Sequence, residues 1–102
     1  MDESFDYQWQ FVLNHELEDV RRIAEHASRE PALRRLFPYS SLSNLRFSTR
    51  SEYPYDSLPW VETVDAGRYR ARDADNRPLA EGDLQIVVMP AVVRAVRAIV
   101  PT

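Results

Sequence analysis

Trp60-Val61-Glu62-Thr63-Val64-Asp65-Ala66-Gly67-Arg68-Tyr69-Arg70-Ala71-Arg72 is the stretch on which the fold class turns. Trp60 to Val64 is rich in aromatic and β-branched residues. Arg68 to Arg72 alternates strictly, with Tyr69 and Ala71 on one side and three arginines on the other. Period-two alternation marks a strand with one face buried and one in water. Asp65-Ala66-Gly67 between them is a turn, Gly67 being free to adopt the positive φ of a tight connection. The segment therefore predicts a hairpin, and with it an antiparallel sheet.

Upstream, Asn44 to Thr49 alternates in the same way, with Leu45, Phe47 and Thr49 facing one side and Arg46 and Ser48 the other. It is a further strand. Residues 50–59, with Pro54 and Pro59 among Tyr53, Tyr55, Asp56 and Ser57, predict a loop. Phe37-Pro38-Tyr39-Ser40-Ser41 predicts a break, and Pro31 opens a short helical turn through Leu36. Residues 5–29 read as one long helix, because Trp9, Leu13, Leu17, Val20, Ala24 and Ala27 fall on one face and Val12 and Ile23 widen it. Pro31 ends that helix. About 25 residues span roughly 37 Å, so the helix must overhang a small sheet or pack against a second subunit.

Downstream, Asp73-Ala74-Asp75-Asn76-Arg77-Pro78 is a turn. The last segment has two readings. Gln85-Ile86-Val87-Val88-Met89 is β-branched and precedes Pro90, which suits a fourth strand and then a helix over 90–100. Alternatively, one helix capped by Asp83 kinks at Pro90 and runs to Val100. Both readings bury Val92, Val96 and Ile99 and expose Arg94 and Arg97.

The chain has 102 residues, a net charge of −3, no cysteine and thirteen basic residues, all of them arginine. That length suits one domain, residues 1–102. The missing cysteine excludes a disulfide framework, a thiolate zinc site and a cysteine nucleophile. The acidic balance speaks against a nucleic-acid partner. No apolar run is long enough to span a membrane. The acidic start Met1-Asp2-Glu3-Ser4 lacks the shape of a signal peptide, so a cytoplasmic location is expected. Arginine without lysine, with ten alanines and ten valines, matches the codon bias of a high-GC bacterium.

Across Leu36-Phe37-Pro38-Tyr39-Ser40-Ser41-Leu42-Ser43-Asn44-Leu45-Arg46-Phe47-Ser48, and again at Tyr53-Pro54-Tyr55, the chain resembles a group of small actinobacterial proteins of unknown function. They are often labelled natural-product-biosynthesis proteins. The resemblance covers roughly residues 31–101, through to a helix closing near Val100-Pro101. It implies a helical last segment, which favours the kinked helix. It brings no catalytic residue with it, because none of these motifs has a known chemical role.

Few constellations promise chemistry. His15 and His26 share a helix face but lie about 16 Å apart along the axis, too far to hold one metal, and local ion pairs on a solvated face account for both. No serine sits in a nucleophile motif. Two glycines fifteen residues apart make no phosphate loop or dinucleotide fingerprint. Asp73-Ala74-Asp75-Asn76 lacks the glycine and the twelfth-position acid of a calcium loop. No metal and no cofactor are therefore expected.

Two surfaces remain as candidates. Arg68, Arg70 and Arg72 project from one face of their strand, joined by Arg46 and Arg50 if the first strand lies alongside. Together they form a fork for a carboxylate or phosphate. The plainer account is a solvated face balanced by Glu62, Asp65 and Asp73. The loop holding Tyr53, Tyr55 and Trp60 is a stiff aromatic surface, with Phe37 and Tyr39 eligible to join it. It either binds an apolar or aromatic molecule or roofs the core.

The expected fold is α+β: a long N-terminal helix, a small antiparallel sheet of three or four strands and a C-terminal helix, with the helices on one sheet face. The expected function is a non-catalytic binding or accessory module, homodimeric or with a protein partner, in a natural-product pathway. The alternative is a small enzyme or ligand carrier that uses the aromatic loop and the arginine face on an anionic or aromatic small molecule.

Overall fold

A computed structural model describes residues 3–101. The hairpin forms as expected, with β3 (Trp60–Asp65) paired antiparallel to β4 (Arg68–Arg72) and Gly67 at φ 77°. The sheet around it is larger than the sequence predicts. Among the described residues it has five strands in the order β1-β2-β3-β4-β5, all antiparallel, adding β1 (Phe37–Ser41), β2 (Asn44–Ser48) and β5 (Pro78–Gly82). β1 and β5 replace an expected break and part of an expected turn. Both hold a proline and both are edge strands. Proline lacks the N–H that a central strand needs, yet on an edge that N–H would only face outward.

The single helix expected over 5–29 is two helices, α1 (Glu3–Leu13) and α2 (Glu18–Ser28). No glycine or proline breaks it; polar side chains do. The Asn14 carboxamide donates back to the Gln10 carbonyl at 2.8 Å and stops α1. The Leu17 N–H donates to His15 Nδ1 at 3.0 Å, and the Arg21 guanidinium donates to the His15 carbonyl at 2.7 Å and the Glu16 carbonyl at 3.3 Å. Backbone groups released by the break thus find partners. A straight rod of roughly 37 Å would leave much of its apolar stripe without a sheet to cover. Broken, the segment buries Trp9 and Val12 from one half and Val20, Ile23, Ala24 and Ala27 from the other. Leu17, expected on that stripe, sits at the break and is exposed.

A short helix, α3 (Pro31–Arg34), leads into β1. The last segment is helical throughout. A π-helical turn over Leu84–Val88, capped by Asp83 Oδ1 accepting from the Ile86 N–H at 2.8 Å, runs into α4 (Met89–Ile99). The widened turn explains how Pro90 is tolerated in an otherwise continuous helical path. A proline ring clashes with the carbonyl four residues back, and a π turn loosens the backbone there. Ile99, expected in the core, is exposed.

The buried side chains of the helices share one sheet face, as expected, with α1 packed against the edge strand β1. Leu45, Phe47, Val61, Tyr69 and Ala71 project from the sheet into a core closed by Trp9, Ile23, Leu33, Met89, Val92 and Val96. The Trp9 indole N–H donates to the Leu36 carbonyl at 3.0 Å, so the largest core residue leaves no polar atom stranded.

Candidate functional site

Register decides what the opposite sheet face presents. Tyr39 stands across from Arg46, and Arg72 stands across from Trp60. β2 and β3 pair Leu45 with Val61, which sets Arg46 beside Trp60. One row therefore runs Tyr39, Arg46, Trp60, Arg72 across four strands. The Arg46 guanidinium lies 3.8 Å from the Trp60 ring centroid and that of Arg72 lies 5.9 Å from it. Trp60 is 6 % exposed, and its indole N–H donates to Asn76 Oδ1 at 3.1 Å. It is neither a free binding platform nor part of the hydrophobic core. It is the centre of a cation–π stack.

The next row is ionic. Glu62, Arg70 and Glu81 stand in register. Arg70 bridges Glu62 at 3.1 Å and Glu81 at 2.6 Å, while Arg68 pairs with Glu81 and Arg72 with Glu62. Hydrogen bonds from Arg70 hold the Glu81 carboxyl below its ordinary range, and those to Glu81 and Glu62 raise the Arg70 guanidinium. The arginine face exists as expected, with Arg46, Arg68, Arg70 and Arg72 on it, but its three β4 members are already bound to carboxylates. Arg50 stands apart, beyond the end of β2. Of the acids expected to balance the face, Glu62 does so, whereas Asp73 accepts from the Asp75 and Arg77 N–H groups at 2.9 Å and holds its own turn. Glu81 was hidden because residues 78–82 do not alternate as a strand should.

The aromatic loop is pinned at its base. Asp56 accepts from Ser48 Oγ at 3.0 Å, from the Thr49 N–H at 3.1 Å and from the Thr49 hydroxyl, and the buried Ser48 Oγ accepts from the Asp56 N–H at 3.1 Å. Burial alone would raise the Asp56 carboxyl, but these hydrogen bonds outweigh it and hold the group low. The pinned loop, with a cis peptide at Tyr53-Pro54, stacks Tyr55 on Tyr39 at 4.2 Å between centroids and sets Tyr53 edge-on to Tyr55 at 6.3 Å. Tyr53 is 84 % exposed. Burial pushes the Tyr39 phenol up, against the pull of Arg46, so it stays protonated near neutral pH and is no general base.

Beside this stack is a groove of about 260 Å³ lined by Tyr7, Gln8 and Phe11 of α1, Pro38, Tyr39 and Ser40 of β1, and Tyr55. Tyr7 is 70 % and Phe11 56 % exposed. Neither Trp60, Tyr53, Phe37 nor any arginine lines it. Sequence reasoning missed Tyr7, Gln8 and Phe11; the available signal was a pair of aromatics four residues apart on the polar side of α1. At the groove's end, Ser40 Oγ lies 3.2 Å from His15 Nε2, and Phe11 meets the His15 ring edge-on at 5.9 Å. This resembles a nucleophile and its base, but the tautomer is wrong. His15 Nδ1 accepts the Leu17 N–H, so in the neutral ring the proton is on Nε2, which donates to Ser40 and cannot take its hydrogen. No three potential metal ligands cluster among the described residues.

Residues 3–101 match a family of unknown function, DUF6193. The chain belongs to this family. The match reaches through α1 and α2, beyond the stretch from residue 31 on which the sequence resemblance rests, so in the DUF6193 chain the groove walls from α1 and β1 both lie inside the family's extent. No curated protein and no solved structure matches the chain.

Proposed function

We propose that the protein is a non-catalytic binding module whose ligand surface is the aromatic groove between α1, β1 and Tyr55. The observation that carries this is the lining itself: Tyr7, Phe11, Pro38, Tyr39 and Tyr55 supply rigid apolar area, and no charged side chain is among the lining residues. Such a surface favours a neutral, apolar or aromatic molecule, since a charge placed there would lose water without gaining a partner. The resemblance to proteins labelled for natural-product biosynthesis supports a setting in such a pathway, with the module acting as an accessory to its enzymes. A carrier or small enzyme that works through the arginine face is the weaker reading, because Glu62 and Glu81 occupy Arg68, Arg70 and Arg72. Self-association through an overlong helix loses its ground, because the helix is broken.

Titration of the intact chain with the neutral probe 2-methoxynaphthalene, followed by amide and aromatic NMR shifts, tests the proposal. Shifts should centre on Tyr7, Phe11, Tyr39 and Tyr55, and Tyr55→Ala should weaken binding by about ten-fold, the loss of one stacked ring. Shifts centred on the arginine face, or binding indifferent to Tyr55→Ala, would move the site elsewhere.

A further inference from the structure

The aromatic groove and a hollow beside it share one wall, because Phe11 lines both. The hollow, of about 320 Å³, is completed by Asn14, His15 and Glu16. Ser40 lines the groove and His15 does not. The 3.2 Å contact between His15 Nε2 and Ser40 Oγ therefore runs from the hollow's side of the wall to the groove's side.

The direction of the proton along that contact is set from behind. The Leu17 N–H can only donate, and it donates to His15 Nδ1 at 3.0 Å. The neutral ring then carries its hydrogen on Nε2 and gives it to Ser40. A hydroxyl has one donor and two acceptor sites. With His15 on one acceptor site, the Ser40 hydrogen is turned away from the imidazole. None of the hydrogen bonds among the described residues gives that hydrogen an acceptor. Accepting from an N–H also makes the hydroxyl a stronger donor, since hydrogen bonds in a chain polarise one another.

Two other polar groups on the lining are engaged already. Gln8 Nε2 donates to the Ser51 carbonyl at 3.1 Å, and the Tyr39 phenol sits against Arg46. The groove thus joins an apolar body, built from Phe11, Pro38, Tyr39 and Tyr55, to a directed donor at the end where Ser40 meets His15.

Resting on the groove reading above, we infer that the occupant is a neutral aromatic molecule that carries a hydrogen-bond acceptor, a carbonyl oxygen, at its Ser40 end, and that Ser40 selects it. The rings take the apolar body and the Ser40 O–H donates to the oxygen. His15 is a positioning residue: it acts through Ser40 by fixing where the hydroxyl hydrogen points. A ligand with hydrocarbon at that end displaces water from the hydroxyl and leaves the hydrogen unmet, whereas a carbonyl takes the water's place. A ligand with an ammonium there sets donor against donor.

The test uses the intact chain and two probes of one shape, 2-acetylnaphthalene and 2-isopropenylnaphthalene, the second having a methylene where the ketone has its oxygen. Both should bind. Ser40→Ala should weaken the ketone by about five-fold, the loss of one neutral hydrogen bond, and leave the alkene unchanged. The C=O stretch of the bound ketone should lie below its value in hexane and rise in Ser40→Ala. A variant that weakens both probes alike shows a serine that only holds the groove's shape, and overturns the inference; so does one that weakens neither. A ketone bound to the parent chain with its stretch at the hexane value overturns it too, and that result needs no variant to fold. If the alkene or 2-methoxynaphthalene binds and the ketone does not, selection by Ser40 falls while the groove reading stands. If none of the three binds, both fall.

Discussion

Leu42 is held at φ 57° in the two-residue turn between β1 and β2, and its side chain is 86 % exposed. A leucine in the left-handed region brings its Cβ too close to the following carbonyl, at a cost of roughly 1–2 kcal/mol. It recovers none of this by burial. Asparagine tolerates the same backbone because its short polar side chain bonds locally. Leu42→Asn should therefore stabilise the protein by about 1 kcal/mol, which thermal unfolding would record as a rise of roughly 4–8 °C for a domain of this size. A lower midpoint would mean that the leucine has a partner which offsets the strain. Residue-scale features of this kind were partly legible in the sequence. Gly67 announces its positive φ, and the arginine alternation announces a solvated face. Leu42 announces nothing, because the hairpin that strains it depends on β1, which Pro38 disguises.

At the scale of elements, the α1–α2 break decides the shape of the groove. It places α1 against β1 and sets His15 beside Ser40. Arg21 holds the break through the His15 and Glu16 carbonyls. Arg21→Met keeps the apolar stem and removes both bonds. It should destabilise the chain by about 1–2 kcal/mol in chemical denaturation, the worth of one or two charge-assisted hydrogen bonds partly open to water, and it should loosen amide protection at Glu16 and Leu17. Unchanged protection there would show that packing alone sets the break. Periodicity could not foresee it, since the apolar stripe runs unbroken from Trp9 to Ala27 and the breaking groups are polar side chains acting on backbone. The C-terminal segment shows the converse. Both of its readings fit the pattern, and the capping bond from Asp83 together with the π turn ahead of Pro90 decides for helix.

For the whole molecule, two carboxyls couple the sheet to pH. Glu81 is held low by the Arg70 hydrogen bonds, and Asp56 is held low by those from Thr49 and Ser48, which outweigh its burial. A carboxyl with a lowered folded-state pKa binds fewer protons folded than unfolded at acid pH, so its contribution is full above its ordinary value and is lost as the pH falls. The melting temperature should hold near neutrality and drop as the pH passes below 4.5, the ordinary value for Glu81, and below 3.8, that for Asp56. In Glu81→Gln the acid limb should be shallower and the neutral plateau lower. An acid limb identical to that of the parent would show that the ion ladder does not couple to folding.

From the sequence by itself came an α+β fold, an antiparallel sheet centred on the β3–β4 hairpin, buried helix side chains on a single sheet face, and Arg46, Arg68, Arg70 and Arg72 on the other. These rest on period, charge and chain length, which act locally or on the whole chain at once. Only the tertiary structure decided the five strands, the broken helix, the pairing of the arginines with Glu62 and Glu81, and the groove where Tyr7 and Phe11 meet Tyr39 and Tyr55. Each of these depends on which distant segments come side by side. That choice follows from edge positions that accept proline, from backbone groups that need partners, and from an apolar stripe that a small sheet can cover only when its helix folds back.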